Sequence, residues 1–157
     1  MSIEQDIVDI IIARIVAECP EFGGRVEESA HVPLTPEDWP CVRVQLPTTQ
    51  TETRDGGRQG HRPRKNDGQI AISLVHDGRD TSVLAVQRAL GLRIDKALMD
   101  EPFLRGADGK ARVSELISTG SQSGTTSNRG SVVSVRQLFY SATWRTTEQN
   151  NSVPMHA

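Results

Sequence analysis

No apolar run in this 157-residue sequence approaches the roughly 18 residues that cross a bilayer as a helix, and the opening stretch MSIEQDIVDIIIARIVAE is too charged for a secretory signal peptide. Neither a membrane anchor nor export is expected. Cysteine is scarce: Cys19 and Cys41 are the only two, far apart and in no metal-ligand spacing. That argues against a zinc site and a disulfide framework, and leaves buried thiols in a reducing compartment as the expectation. His31, His61, His76 and His156 are scattered singly with no HExxH, no GxxxxGK[ST] follows a strand and opens a helix, and no serine sits in GxSxG. The expectation is a soluble protein with no metal, no cofactor and no catalytic residue, and so not an enzyme.

Two acidic groupings come nearest to acid–base chemistry. His76-Asp77, with Asp80 close behind, belongs to HDGRD, which reads as a turn leaving a strand and capping the next helix, because Asp and Gly suit such turns. An apolar pocket with His76 and Asp80 both directed into it would revive an enzymatic reading. Glu37-Asp38 after Pro36 reads as a turn or the start of a short helical piece. The Asn150-Asn151-Ser152 sequon carries little meaning in a reducing compartment.

What the sequence does contain is enough for one domain: 36% hydrophobic residues is low but workable for a core. Its charge is segregated. The whole chain is formally -2, yet RDGGRQGHRPRKNDG, residues 54–68, is +3, leaving -5 elsewhere. That segment has four glycines, no aliphatic anchor, and no Phe, Tyr or Trp on which a base could stack, which weakens a single-strand nucleic-acid reading. It cannot repay its own ordering entropy, so a mobile arm is expected, one that orders against a charged partner surface. A basic stripe continuing onto Arg88 and Arg93 would instead favour nucleic acid.

Periodicity places the rest. Ser2 followed by Gln5 has the form of a capping box ahead of Ile3, Ile7, Ile10, Ile11 and Ile15, predicting a helix over about 3–18 that Pro20 stops and Gly23-Gly24 turn. Residues 25–32 show a weak alternation, read as a short strand. After the proline-punctuated PLTPEDWP, Cys41 to Leu46 and Gln69 to His76 read as strands, and the connection of about 22 residues between them exceeds hairpin length. Thr81 or Ser82 can cap a second helix to about Met99, striped by Val83, Val86, Leu90, Ile94 and Leu98. Arg112 to Thr119 suggests another strand, GSQSGTTSNRG (120–130) a flexible linker or loop, and SVVSVRQLFYSATWRTT (131–147) a long strand with Leu138, Tyr140, Ala142 and Trp144 on one side. The expected fold is α+β: a mostly antiparallel sheet with both amphipathic helices packed on one face, a single domain over 1–147 with a long mobile loop at about 48–68, and a flexible tail at 148–157. The bare face, the edge of the long final strand and the loops are the surfaces offered to partners.

The order IEQDIVDIIIARIVAE, WPCVRVQLP, a long loop, QIAISLVHDG, LAVQRALGLRIDKAL and RQLFYSATWRTTE, covering about 3–147, resembles the tail terminator family of long-tailed bacteriophages, minor tail proteins that cap the finished tail tube. The resemblance implies a structural virion protein forming a hexameric ring at the head-proximal end of the tail, after assembly in the host cytoplasm. Its implied partners are itself, the tail tube protein and a head-completion or connector protein, with DNA only in passage through the lumen. A closed ring requires head-to-tail contacts between two different patches. Arg54, Arg58, Arg62, Arg64 and Lys65 are the expected partner-binding residues of the arm, directed at the tube or a neighbouring subunit. A head-completion or neck protein of the same virion is the alternative, and a small nucleic-acid-binding module a more distant one.

Overall fold

The computed structural model describes residues 2–29, 31–33 and 36–147. Helix α1, Ile3–Glu18, begins where the sequence predicts: Ser2 is extended and its hydroxyl accepts the Gln5 N–H at 3.1 Å. Only half of the capping box forms, because the Gln5 side chain turns outward to Asp9 and Glu28. Ile3, Ile7, Ile11 and Ile15 stack on one stripe and are all buried, each contributing about 1.5–3 kcal/mol of transfer energy. A short 3-10 turn, Pro20–Phe22, drops Phe22 into the core beyond it.

Among the described residues five strands, β1 (Val26–Glu28), β2 (Cys41–Thr53), β3 (Pro63–Asp77), β4 (Glu115–Asn128) and β5 (Ser131–Thr147), form one sheet in the order β1-β2-β3-β5-β4, with β1 parallel to β2 and every other pair antiparallel. Helix α1 lies over β1 and β2, while α2 (Val83–Met99) lies over β3 and β5. The fold is α+β with both helices on one face. The β5 face read from the sequence is the buried one: Leu138, Tyr140, Ala142 and Trp144 join Val42, Val44, Ile70, Ile72 and Leu74 beneath the helices. Gly91 is buried on α2, and a Cβ there would meet Leu138 Cδ2 at 3.4 Å, so the residue that lowers helix propensity also lets the helix approach the sheet. Both cysteines are free and buried.

Six expectations require correction. The weak strand at 25–32 is only three residues long, because only Val26 has an inward partner surface and Glu27 and Glu28 are exposed. The long loop at about 48–68 contracts to 54–62: β2 and β3 continue past their apolar segments, pairing Thr48 with Gln69 through Thr53 with Arg64. GSQSGTTSNRG is not a linker; most of it is β4 (Glu115–Asn128), hydrogen-bonded to β5 along its length. As a result the long final strand β5 is interior, between β3 and β4, and has no free edge. The face opposite the helices is also not bare, since Trp39, Cys41, Val75 and Val133 form a small second cluster there, with Trp39 Nε1 held by the Pro33 carbonyl at 2.9 Å. Along α2, Val86 is largely exposed and Gln87 takes its place in the buried stripe. The tail predicted at 148–157 lies outside the described residues.

Candidate functional site

The basic segment sits at the end of the β2–β3 hairpin, on a base built to be stiff. Asn66 is buried and ties three strands: its amide donates to Thr146 Oγ1 at 3.1 Å and the Trp144 carbonyl at 3.4 Å, and its oxygen accepts from Thr51 Oγ1 at 2.8 Å. Thr143 Oγ1 donates to Asp67 Oδ1 at 2.6 Å. Gly68 faces the Trp144 ring so closely that a Cβ would stand 2.9 Å from Cζ3. Beyond this base, Arg54 N–H donates to the Pro63 carbonyl and His61 N–H to the Arg58 carbonyl, closing the turn. Gly56, Gly57 and Gly60 all have positive φ, the conformation that favours glycine.

The five predicted arm residues are thereby divided. Arg54 and Arg58 are exposed on the connection and Arg62 is half-buried at its foot. Arg64 and Lys65 are strand residues: Arg64 pairs with Thr53 and Thr146, Lys65 with Glu52 and Arg145, and their side chains alternate to opposite faces. Arg64 lines a polar cavity of about 260 Å³ between the hairpin base and the start of α1, shared with Glu4, Thr49 and Asn66. Thr49 Oγ1 also donates to Glu4 Oε1 at 2.8 Å, bracing β2 against α1.

His76 and Asp80 do meet at one cavity, of about 290 Å³, with Pro36, Trp39, Pro40, Asp77, Val83 and Val86. Gln87 Nε2 donates to the Leu74 and Ser134 carbonyls at 3.1 and 3.0 Å and stands 3.2 Å from His76 Nδ1, packing the imidazole against α2. Burial holds the His76 pKa below the ordinary imidazole value, against the pull of the Asp80 carboxylate. Asp80 accepts from the Ser82 N–H and hydroxyl at 2.9 and 2.8 Å, which lowers its pKa, and Asp77 is lowered by its bonds from Arg79. Both carboxylates therefore hold the HDGRD turn and the start of α2. No serine, threonine, cysteine or lysine is among the residues lining this cavity, and among the described residues no cluster of three His, Cys, Asp or Glu is placed to hold a metal ion.

Arg88 and Arg93 do not extend a basic stripe. Arg93 is bound to Glu21 Oε1 and the Glu18 carbonyl, both at 2.5 Å, placing a cation at the carboxyl end of α1. Arg88 instead faces a groove of about 410 Å³ between α2 and β4, with Leu92, Asp95, Arg136 and Tyr140. This groove was missed by sequence reasoning, since it exists only because the polar run at 120–130 is a strand. Among the described residues no helix is long and apolar enough to cross a membrane.

No protein-family model matches the chain, and no curated protein matches it. Among solved structures it is similar to a chain from the virion of a native gene transfer agent particle, at 17% identity over 82% of this chain and 83% of that one, with a TM-score of 0.44. A second solved chain, with no descriptive name, is 17% identical over 85% of this chain and 94% of its own, with a TM-score of 0.41.

Proposed function

We propose that this chain is a structural virion protein, a phage tail terminator that assembles as a homohexameric ring on the head-proximal end of the tail tube, stops addition of tube subunits and presents the surface that the head connector joins. The observation that carries the reading is the hairpin: a three-stranded base locked by Asn66 and Gly68 holds a basic, glycine-rich connection clear of the core. The sequence resemblance over 3–147 supports it. A projection of this kind works by shape and charge. Arg54, Arg58 and Arg62 meet acidic residues of the tube or of a neighbouring copy, with Arg64 and Lys65 at the base. Exposed ion pairs contribute roughly 0–1 kcal/mol each, so their joint effect is steering and specificity. The protein needs no cofactor, transforms no small molecule, and meets DNA only as it passes through the lumen. It belongs to the tail of the virion and reaches it from the host cytoplasm.

The test is electron microscopy of tails assembled without this protein. Tubes of uncontrolled length are expected; tails of normal length that fail to attach heads would make it a head-completion or neck protein instead. One observation favours an enzymatic reading, the cavity shared by His76 and Asp80. Purified protein that turns over a substrate, and loses that activity on His76→Ala substitution, would establish it in place of the ring.

A further inference from the structure

The sheet ends in two open edges, one bordered by a groove that Arg88, Asp95 and Arg136 line and the other carrying glutamates. One is β4, fourteen residues paired only on its β5 side. Natural edge strands are blunted by lysine, proline or inward-pointing charge; from Ser118 to Ser127 this one has none of them, and its single irregularity is the register shift between Ser118 and Gly120. Beside it runs the groove under α2, where Leu92 is 73% exposed. Arg136 reaches along the groove to donate to Ser123 Oγ at 2.9 Å and Ser121 Oγ at 3.0 Å, while its buried Nε has no acceptor. Both partners are hydroxyls, so its charge is not met by a carboxylate. The other open edge is β1, Val-Glu-Glu, with Glu27 and Glu28 exposed.

The register places these features on the same rows. Val26 is in line with Val42, Leu74, Arg136 and Ser123, and Glu28 with Val44, Ile72, Leu138 and Ser121. Residues in line across a sheet share a face. Glu28, which accepts from Gln5 of α1, is therefore on the helix side, as Arg136 is. Strand directions also agree: β4 runs antiparallel to β1, so a second copy continuing the sheet in the same orientation presents β1 antiparallel to β4.

We infer that β4 of one copy receives β1 of the next, extending the sheet from copy to copy, with Glu28 of the neighbouring copy opposite Ser121 and its carboxylate on the Arg136 guanidinium beside Arg88. The occupant is a second copy because charge selects it. A two-fold β4–β4 contact brings Arg88 and Arg136 of both chains to one seam, and a β1–β1 contact gathers four glutamates, whereas β4 against β1 joins opposite signs in a head-to-tail contact. This inference rests on the ring reading and specifies its subunit seam.

The experiment is native mass and sedimentation of the full chain over a concentration series, for wild type, R136E, E28R and the double charge swap, with circular dichroism to confirm folding. Each single swap is expected to weaken self-association by about tenfold or more, and the double swap to restore it. A second measurement does not depend on those charges: oxidised E28C/S121C protein should form covalent ladders longer than two copies, which neither single cysteine variant forms. Wild type and single swaps that assemble alike, without ladders, would overturn this seam and leave the ring standing. A cross-linked dimer from S121C alone would replace it with a two-fold β4 contact. Wild type that stays monomeric at every concentration and on tube ends would end both.

Discussion

Gln87 of α2 is fully buried, and its amide serves two strands at once, donating to the Leu74 and Ser134 carbonyls while accepting from Ser134 Oγ at 3.1 Å, with His76 Nδ1 3.2 Å from its nitrogen. Gln87→Leu keeps the volume roughly but strands those partners, at a cost of about 1–3 kcal/mol, to be read from urea denaturation. Its neighbour His76 gives the molecule a pH dependence. Because burial depresses the native pKa below the ordinary value of 6.5, the unfolded chain binds that proton more readily. The native state is therefore undiminished above the ordinary value and loses stability as pH falls through it. Denaturation midpoints between about pH 7.5 and 5.5 should decline for wild type and flatten for His76→Phe. The carboxylates lowered by Arg79 and Ser82 titrate in a more acidic window, so the two effects separate. At Gly68 the prediction is steric: the 2.9 Å approach of an added Cβ to the Trp144 ring makes Gly68→Ala destabilising by about 1–3 kcal/mol.

Among the elements, legibility in the sequence followed burial. Helices α1 and α2 and strand β5 each set an apolar stripe against a polar remainder, and their limits were read within a residue or two. Strand β4 left no such trace: from Ser118 onward both its faces are exposed wherever a side chain is described, so no alternation marks it, and its order comes from β5 instead. The distal halves of β2 and β3 hid for the same reason. Pairing carries TTQTET and PRKNDG outward together, with few apolar residues to announce a strand. The candidate site inherited that limit. Its charge was visible in the sequence, but the division of Arg54 and Arg58 from Arg64 and Lys65 depends on where pairing stops. Within β4 two glycines should respond oppositely to substitution. Gly120, at φ 141° beside the register shift, needs its glycine, whereas Gly124 has ordinary φ and open space around it. Gly120→Ala is expected to destabilise, and Gly124→Ala to stabilise by about 0.5–1 kcal/mol, as thermal melting would reveal.

At the scale of the whole molecule, charge and shape are laid out at opposite extremes of one sheet: a basic hairpin tip at one end of β2 and β3, the acidic HDGRD turn at the other, and two open edges, one beside Arg88 and Arg136 and the other carrying Glu27 and Glu28. The body between them is held by Arg14 on Glu101 and by Arg112 on Asp6, contacts that join α1 to the segment after α2, while Asp108 pairs with Arg112 within that segment. Shortening the connection 54–62 to a two-residue turn should leave stability within about 1 kcal/mol of wild type, because its central residues are exposed, while weakening the attachment to a tube that the proposed function requires. Under the proposed function, this protein acts by binding copies of itself around the end of a tube. That action is tested most directly by adding purified protein to polymerising tube subunits and imaging the products. The account predicts that elongation stops, with a ring of six copies on one end of each tube; tubes that elongate unchanged, with bare ends, would contradict it.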